Sequence, residues 1–393
     1  MSTAEPPEGV PAHPDQPEGR RPNLFIVGAP KSGTTALWTY LRNHPQIYTA
    51  GGEDRASGLP AAGGKEFQFF GSDLPSNIPV HRSLEAYLGA FAAATDERYL
   101  VDASPMYLCS ERAAAEIAAF APDARAVAML RNPVDMMYSL HAEALFQGDE
   151  DIADFAEALA AEEDRRQGRR IPPTCQGALW SLLYRNVAGY ADQVQRFMDA
   201  LGPERVHVIV FDDFAADPDA VYRELLAFLG LDVVEEEVPD FAVRNAHKAP
   251  RSRLAVRLLR NPPPVLRRVA RTVVRSQATR RALGLRALEL NADRRPRPSL
   301  DPALRRALQA EMADDVRRLG ALLDRDLSGW LTSGDESGPM DGRQAGGTEG
   351  HGRQAGGTEG HGRQDGGAEG HGRQAGEVDG HGPRVDGNEW DGS

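Results

Sequence analysis

The chain has 393 residues and a formal net charge of −13, and its length leaves room for one large domain or two of average size. Its two cysteines exclude a disulfide scaffold and a multi-thiolate metal site, and they are typical of a reducing compartment. No apolar run approaches the roughly 18 residues of a membrane-spanning helix, and the polar start lacks the apolar core of a secretory signal, so we expect a cytoplasmic protein.

The charge is spread unevenly between a body and two appendages. Residues 1–21 have a net charge of −2, whereas residues 333–393 have a net charge of −7 and hold 20 of the 40 glycines. The second appendage repeats the decapeptide GRQAGGTEGH from residue 342 onward, with a histidine in each repeat, but we predict no metal site. Such segments cannot bury enough apolar surface to offset chain entropy. We therefore expect both appendages to be disordered and residues 22–332 to form a single folded domain.

The body alternates between the sequence patterns of strands and helices. Strand patterns occupy residues 23–28, 66–70, 98–103, 124–130 and 205–211. Helical patterns occupy roughly residues 34–44, 82–94, 110–120, 133–146, 151–165, 178–200 and 217–229. This alternation predicts a P-loop NTPase-like α/β fold, in which helices flank a mostly parallel sheet. Ligands of such sheets bind beyond the carboxyl ends of the strands, so residues that directly follow a strand are the candidates for a site.

A glycine-rich loop, GAPKSGTT (28–35), follows the first strand and leads into a helix. Two glycines separated by four residues at such a junction match the spacing of a nucleotide phosphate loop, whose backbone N–H groups face an anion. A loop built for nucleoside triphosphates has a lysine directly after its second glycine. Here Thr34 stands at that position, and the lysine is Lys31, inside the loop. The loop therefore predicts an anion site and weakens the case for a kinase.

A second junction of a strand with a helix carries the sequence RNPVDMMYS (131–139). Asn132 is a favourable N-cap and Pro133 suits the first helical position, so a helix is predicted to start here. Arg131 then lies at the strand end, and Ser139 lies nearly two turns along the helix. Because it directly follows a strand, Arg131 is a candidate residue of the ligand site.

These motifs resemble those of a known family. FIVGAPKSGTTALWTYLRNHP (25–45) is similar to the 5′-phosphosulfate-binding loop of sulfotransferases that use 3′-phosphoadenosine 5′-phosphosulfate (PAPS), and RNPVDMMYS is similar to their 3′-phosphate motif. DASPMYL (102–108) and the segment from Tyr190 to Gly230 also resemble the heparan-sulfate-type and bacterial members. The resemblance covers about residues 22–332. It implies a PAPS-dependent sulfotransferase that requires no metal.

The same resemblance implies which residues hold the donor. The 5′ end is held by Lys31, Ser32, Gly33, Thr34 and Thr35. The 3′-phosphate is held by Arg131 and Ser139. NAHKAPRSR (245–253) resembles the late loop that closes over the donor, which adds Lys248 and Arg251 as phosphate contacts.

A candidate general base follows from the segment KEFQFF (65–70), which resembles the K-E-x-H-F-F segment of the heparan-sulfate-type enzymes. The glutamate is the base in that family, so the resemblance implies that Glu66 deprotonates the acceptor while Lys31 stabilises the departing phosphate. Gln68 stands in the place of the family's histidine. His44 and His141 are rival bases. His44 precedes a proline at a predicted helix end, which favours a cap, whereas His141 follows Ser139 by two residues and can line the same cleft.

Two further segments bear on the acceptor. Residues 50–64 are long and rich in glycine and alanine, and we expect a mobile surface loop or an acceptor lid there. Residues 244–297 hold 16 basic and 2 acidic side chains. Three interpretations stay open for residues 253–286: a solvated helix face, a surface for an anionic acceptor, or a weak contact with a membrane surface. No nucleic-acid partner is expected, because aromatic side chains for base stacking are missing from this stretch.

Two alternatives to sulfuryl transfer stay open. One is a P-loop kinase that uses ATP and Mg²⁺, with Asp212 or Asp213 after strand 205–211 as the metal-binding acid. The other is a non-catalytic nucleotide-binding scaffold. The acceptor is predicted only as a small molecule, glycan or lipid with a hydroxyl or amine, and the sequence leaves the oligomeric state open. The composition, rich in alanine and arginine, favours a bacterial source and with it the sulfation of natural products or glycans.

Overall fold

The computed structural model describes residues 20–50, 65–74, 83–175, 179–235, 238–239, 241, 249–250, 292–293 and 298–332. The chain divides into the units Met1–Pro339 and Met340–Ser393, and all described residues belong to the first. The expectations for the repeat tail, for most of the 1–21 and 50–64 segments and for residues 253–286 therefore lie outside the described residues. The same holds for the candidate phosphate contacts Lys248 and Arg251.

A parallel sheet forms the centre of the described part of the chain. Its five strands are β1 (Leu24–Gly28), β2 (Ile47–Thr49), β3 (Tyr99–Ala103), β4 (Arg125–Leu130) and β5 (Val206–Val210), in the order β2-β3-β1-β4-β5. The central strand β1 pairs with β3, where Leu24 lies opposite Val101, and with β4, where Leu24 lies opposite Arg125. A separate antiparallel pair joins β6 (Ala249–Pro250) to β7 (Ala292–Asp293). The predicted parallel α/β sheet is confirmed.

Helices connect the strands and cover both faces of the sheet. They are α1 (Thr34–Leu41), α2 (Leu84–Gly89), α3 (Ala113–Phe120), α4 (Pro133–Gln147), α5 (Phe155–Ala160), α6 (Glu162–Arg166), α7 (Tyr184–Ala188), α8 (Tyr190–Leu201), α9 (Phe211–Ala216), α10 (Pro218–Leu229) and α11 (Pro302–Leu322). Short 3₁₀ helices span Leu179–Leu182, Pro203–Arg205 and Ser328–Trp330. None of the helices in the described ranges is long and apolar enough to cross a membrane.

Two predicted helices are each divided in the structure. The pattern at 151–165 forms α5 and α6, and the pattern at 178–200 forms a 3₁₀ turn followed by α7 and α8. The second division falls at Gly189, whose ψ of 73° lies outside the helical range. Glycine has a low helix propensity because of its backbone entropy, so one helix ends before Gly189 and the next begins after it.

The core follows from the alternation of side chains along each strand. In β1, Leu24 and Ile26 point to one face of the sheet and pack in a cluster with residues of α1 and α10. Phe25 and Val27 point to the other face and pack with residues of α3, α4, α8 and α11. A sheet buried on both faces leaves only its strand ends to carry polar groups. The strand order places the carboxyl ends of β3, β1 and β4 side by side, and the site is built there.

The strand predicted at 66–70 is wrong. Glu66 and Gln68 have φ values of 64° and 48°, which lie in the left-handed region and are incompatible with an extended strand. The segment instead turns along the end of β3, where the N–H group of Glu66 donates to the carbonyl oxygen of Ala103 at 2.9 Å. Its alternating pattern arises because the segment is a loop whose phenylalanine side chains pack into the core. Periodicity alone cannot distinguish such a loop from a strand.

Candidate functional site

The loop between β1 and α1 is shaped by two glycines. A Cβ atom at Gly28 would lie 2.4 Å from the Cβ atom of Leu108, so only glycine permits this close approach. Gly33 precedes α1 with a φ of 94°, which a residue with a side chain rarely adopts. Since a glycine N-cap has no side chain to accept hydrogen bonds, the N–H groups of the first helical turn are available to an anion. Between the two glycines, Ser32 is fully buried and Lys31 has the uncommon φ of 61°.

The ammonium of Lys31 contacts helix α4. Its Nζ donates to Oε2 of Glu143 at 3.1 Å, and both side chains are 32% exposed. Glu143 also accepts a hydrogen bond from Nε2 of Gln147 at 2.7 Å. Ser139 precedes Glu143 by one helical turn, so the two residues lie on the same face of α4. The ion pair therefore brings the loop lysine to the helix face that carries Ser139.

Arg131 directly follows β4, at the neighbouring strand end. Its guanidinium carbon lies 4.9 Å from the centre of the Phe211 ring, and its Nη1 lies 3.5 Å from the carbonyl oxygen of Lys31. A guanidinium held by its face against a ring can still offer its N–H edge to an anion. Oδ1 of Asn132 accepts from the N–H group of Val134 at 3.0 Å, which confirms the predicted helix start. The structure thus brings Arg131 to the loop that holds Lys31.

A second ammonium, that of Lys65, lies against the start of α1. Its Nζ is 2.7 Å from Oγ1 of Thr35, 3.5 Å from Oγ1 of Thr34 and 3.3 Å from Oε1 of Glu66. The Lys65 side chain is 9% exposed, whereas that of Glu66 is 51% exposed. Burial lowers the pKa of Lys65, the carboxylate of Glu66 opposes that effect, and the charge of Lys31 adds to it. The ammonium of Lys65 therefore contacts the loop that carries Lys31, with the candidate base beside it.

Buried Asp102, at the end of β3, holds the segment that carries Glu66. Its carboxylate accepts from the hydroxyls of Tyr87, Ser104 and Tyr107, at 2.8, 2.7 and 2.9 Å respectively. Because a carboxylate can only accept, it draws these hydroxyl protons toward itself and leaves the hydroxyl oxygens to accept from elsewhere. Accordingly, the N–H group of Gln68 donates to Ser104 at 3.1 Å and that of Phe69 donates to Tyr107 at 2.9 Å. Asp102 thereby fixes the backbone beside Glu66 through two hydroxyls.

The charge of Asp102 makes the stability of the protein depend on pH. Burial raises the pKa of Asp102 from 3.8 to about 6, and its three hydroxyl bonds offset this only in part. The folded state therefore binds the proton more tightly than the unfolded state, so the free energy of unfolding falls as the pH rises from about 4 to about 6 and then levels off. We expect wild type to lose about 3 kcal/mol relative to Asp102→Asn, which cannot titrate, over that range. Urea unfolding at pH 4, 5, 6 and 7 measures the difference, and parallel profiles of the two proteins would contradict it.

Both rival bases are engaged in the fold. His44 is 3% exposed, and its ring nitrogens bond to the carbonyl oxygen of Asp232 at 3.0 Å and to the N–H group of Gln46 at 3.1 Å. His141 is 2% exposed, and its Nε2 lies 2.9 Å from the carbonyl oxygen of Ile152. Buried rings with backbone partners serve packing and capping, so Glu66 is the candidate base that the structure leaves accessible.

The two acids of the kinase hypothesis contact the C-terminal end of the described chain. Oδ2 of Asp212 accepts from the indole N–H of Trp330 at 2.8 Å. Both oxygens of Asp213 accept from the guanidinium of Arg325, at 2.5 and 2.7 Å. These bonds hold the turn around Ser328–Trp330, which gives both acids a structural role. Over the described ranges, no group of three or more histidine, cysteine or acidic side chains is placed to hold a metal ion.

Sequence reasoning missed Lys65 and Glu143. One signal points to Lys65: of 45 lysines and arginines in the chain only three are lysines, and all three lie in the motif segments. A second signal points to Glu143, because it follows Ser139 by four residues on a predicted helix and must share its face. Neither a lysine nor a glutamate is diagnostic of a site by itself. The contact of Lys65 with Thr35 and that of Glu143 with Lys31 can be recognised only in the folded structure.

Comparisons with known proteins agree with this geometry. The family described as "Sulfotransferase family" matches residues 22–236. Curated relatives include "Bifunctional heparan sulfate N-deacetylase/N-sulfotransferase 3" of Homo sapiens, 26% identical over 217 residues, and "Bifunctional heparan sulfate N-deacetylase/N-sulfotransferase 1" of Mus musculus, 27% identical over 219 residues. Each of these matches covers 54% of this chain but only 22% of the relative's own length.

A solved structure extends the similarity beyond that region. The crystal structure of a sulfotransferase from Alicyclobacillus acidocaldarius is 31% identical, with a TM-score of 0.56, and the match covers 80% of this chain and 100% of that chain. The family match itself runs from the start of β1 past the end of α10, so it includes the loop, the Glu66 segment and Arg131. Because this match takes in more than half of the chain and the bacterial protein shares its fold over its whole length, the chain belongs to the sulfotransferase family.

Proposed function

We propose that the protein transfers the sulfuryl group of PAPS to a hydroxyl or amine of a small-molecule, glycan or lipid acceptor. The observation that carries the proposal is that the loop between β1 and α1 holds Lys31 and is contacted by two further cations, Lys65 and Arg131. PAPS has a phosphosulfate at one end and a phosphate at the other, so it needs cations and N–H donors at two places. Membership of the sulfotransferase family supports the reaction type.

The residues around the loop suit such a donor. The 5′ end would be held by Lys31, Ser32, Gly33, Thr34 and Thr35, where the glycine N-cap leaves backbone N–H groups available. Arg131 and Ser139 would hold the 3′-phosphate, since Arg131 follows the strand next to the loop and Ser139 lies on the helix that contacts Lys31. Lys248 and Arg251 remain proposed phosphate contacts.

Glu66 and Lys31 would divide the chemistry between them. When bound, the donor supplies an electrophilic sulfur whose bond to the phosphate oxygen breaks as the acceptor bonds to it, and adenosine 3′,5′-bisphosphate leaves with the electron pair. Glu66 takes the proton from the acceptor at a carboxylate oxygen, for which its 51% exposure gives access. Lys31 would stabilise the negative charge that grows on the leaving phosphate. Arg131 would hold the donor so that the sulfur lies in line with the acceptor.

The acceptor class has two lines of support. The exposed edge at Glu66 admits a molecule from solvent, and a carboxylate base serves a hydroxyl or an amine equally. Two relatives are named for the N-sulfation of heparan sulfate, which favours a glycan with an amine. A labelled-donor assay on cell extract, followed by mass spectrometry of the molecule that gains sulfate, identifies the acceptor.

Calorimetry tests the donor. We expect adenosine 3′,5′-bisphosphate to bind tightly in the absence of Mg²⁺, because protein cations supply the positive charge. ATP binding that requires Mg²⁺, without binding of the bisphosphate, would instead support a kinase. A protein that binds the bisphosphate but transfers no label in any extract would support the scaffold hypothesis.

Replacing Arg131 with alanine tests the 3′-phosphate site. We expect affinity for adenosine 3′,5′-bisphosphate to fall about 10- to 100-fold, the loss of one charge-assisted interaction. Affinity for adenosine 5′-monophosphate, which lacks the 3′-phosphate, should change little. Calorimetry of the two nucleotides gives the comparison, with Arg317→Ala on the exposed side of α11 as the control. Equal weakening of both nucleotides would remove Arg131 from the 3′-phosphate site.

A further inference from the structure

The side chain of Lys65 carries a charge although only 9% of it is exposed, and neither Glu66 as base nor Lys31 at the leaving phosphate accounts for that charge. Taking an ammonium out of water is costly unless it is paired and hydrogen-bonded. Its partners are the hydroxyls of Thr35 and Thr34 and the carboxylate of Glu66, at 2.7, 3.5 and 3.3 Å. All three belong to the proposed donor and acceptor site, so this charge is placed at the site and not within the core.

The contact between Lys65 and Thr35 fixes the direction of a proton. An ammonium has three donors and no acceptor, so Oγ1 of Thr35 must be the acceptor in this 2.7 Å contact. A hydroxyl carries one proton, and here that proton must point away from Lys65. The hydroxyl of Thr35 therefore keeps its proton for another acceptor, and an anion bound at the loop can be that acceptor.

The charges around the loop form two ion pairs. Lys31 contacts Glu143 at 3.1 Å and Lys65 contacts Glu66 at 3.3 Å, and the two ammonium groups are close enough that Lys31 lowers the pKa of Lys65. Each of these two ammonium groups is thus paired with a carboxylate. Both carboxylates are partly exposed, at 32% for Glu143 and 51% for Glu66, so solvent already screens them and an incoming phosphate can take their place beside the cations.

The choice of lysine fits this role. The chain uses arginine at 42 of its 45 basic positions, yet this position is a lysine. A guanidinium presents a wide planar fork, whereas an ammonium is a compact point charge whose three protons can reach two neighbouring hydroxyls and a carboxylate together.

We propose that Lys65 is a positioning residue of the donor site, which turns the hydroxyls of Thr34 and Thr35 toward the donor's 5′-phosphate and balances its charge. This inference rests on the proposed function. In the absence of donor, Glu66 is the counter-ion of Lys65, so it competes with the phosphate for that ammonium. Removal of the Glu66 charge should therefore leave nucleotide affinity unchanged or raise it, while removal of the Lys65 charge should lower it.

A double-mutant cycle on Lys65 and Thr35 tests the inference. The proteins are wild type, Lys65→Met, Thr35→Val and the double variant, with Lys65→Arg and Glu66→Gln alongside, and the probe is adenosine 3′,5′-bisphosphate in calorimetry. We expect Lys65→Met to weaken binding about tenfold, Lys65→Arg to recover part of the loss, and Glu66→Gln to cause none. In the Thr35→Val background the effect of Lys65→Met should shrink to about threefold or less, because the two residues act together.

The outcomes separate the two proposals. Wild-type protein that fails to bind the bisphosphate would overturn the proposed donor and this inference with it. Wild-type binding that Lys65→Met leaves unchanged, or effects of Lys65→Met and Thr35→Val that simply add, would overturn the role of Lys65 alone. Thermal unfolding shows whether each variant is folded, and Lys65→Gln replaces Lys65→Met in the cycle where the latter is not.

Discussion

Replacing Lys31 with alanine is expected to slow sulfuryl transfer by about 10²- to 10³-fold, the usual cost of removing one donor aimed at developing charge. Lys31 belongs to the loop between β1 and α1, and its side chain is 32% exposed, so its ammonium can reach a ligand. As the sulfur–oxygen bond breaks, negative charge grows on the phosphate oxygen, and an interaction that strengthens in the transition state acts on the rate more than on binding. Rates of label transfer to the acceptor found in extract, set beside calorimetric affinity for adenosine 3′,5′-bisphosphate, separate the two effects.

The same substitution should leave the fold intact. The ion pair of Lys31 with Glu143 is partly exposed, and such pairs contribute about 0–1 kcal/mol to stability. Glu143 also keeps its hydrogen bond from Gln147. Lys31→Arg should retain part of the activity, and Arg317→Ala, which removes an exposed cation of α11, should retain all of it. A Lys31→Ala protein within about threefold of the wild-type rate would exclude Lys31 from charge stabilisation.

Elements whose boundaries are set by neighbouring residues could be predicted from the sequence, as β1 and α4 show. The strand at Leu24–Gly28 is a short apolar run that ends at glycine, and the helix at Pro133–Gln147 starts with an Asn–Pro cap. In each case residues of the segment itself mark a boundary of the element, so no distant partner is needed to recognise it. The loop between β1 and α1 is predicted for the same reason, because its glycines, its lysine and the helix that follows are contiguous in the chain.

The environment of Glu66 could not be predicted, because it depends on residues far apart in sequence. The turn at residues 66–70 is held by hydroxyls of residues 104 and 107, whose protons are directed by Asp102. Nothing in the pattern of residues 66–70 indicates those partners, and the same apolar alternation is typical of a strand. The contact of Lys65 with Thr35 likewise joins residues 30 positions apart. Such contacts depend on how the whole chain folds, so the sequence motifs do not reveal them.

Replacing Glu66 with glutamine is expected to lower the rate of transfer by about 10²- to 10⁴-fold, the range for loss of a general base. Glutamine has nearly the same shape and can still accept from Lys65, so the loss isolates proton transfer from packing. Affinity for adenosine 3′,5′-bisphosphate should stay the same or rise, because the variant removes an anion beside Lys65. Single-turnover transfer of label and calorimetry of the same protein give the two numbers.

Glu143 provides the decisive comparison, since among the described residues it is the carboxylate that pairs with Lys31, as Glu66 pairs with Lys65. If Glu66 is the base, Glu143→Gln should retain most of the transfer rate, because its charge only balances Lys31 before the donor arrives. If Glu143 is the base, the losses should be reversed between the two variants. Glu111→Gln, at an exposed position outside the site, controls for the removal of one negative charge. The expectation for Glu66 rests on access, because its side chain is 51% exposed against 32% for Glu143. Lys65 pairs with the Glu66 carboxylate beside the loop, and the Asp102 network holds the backbone that follows at Gln68.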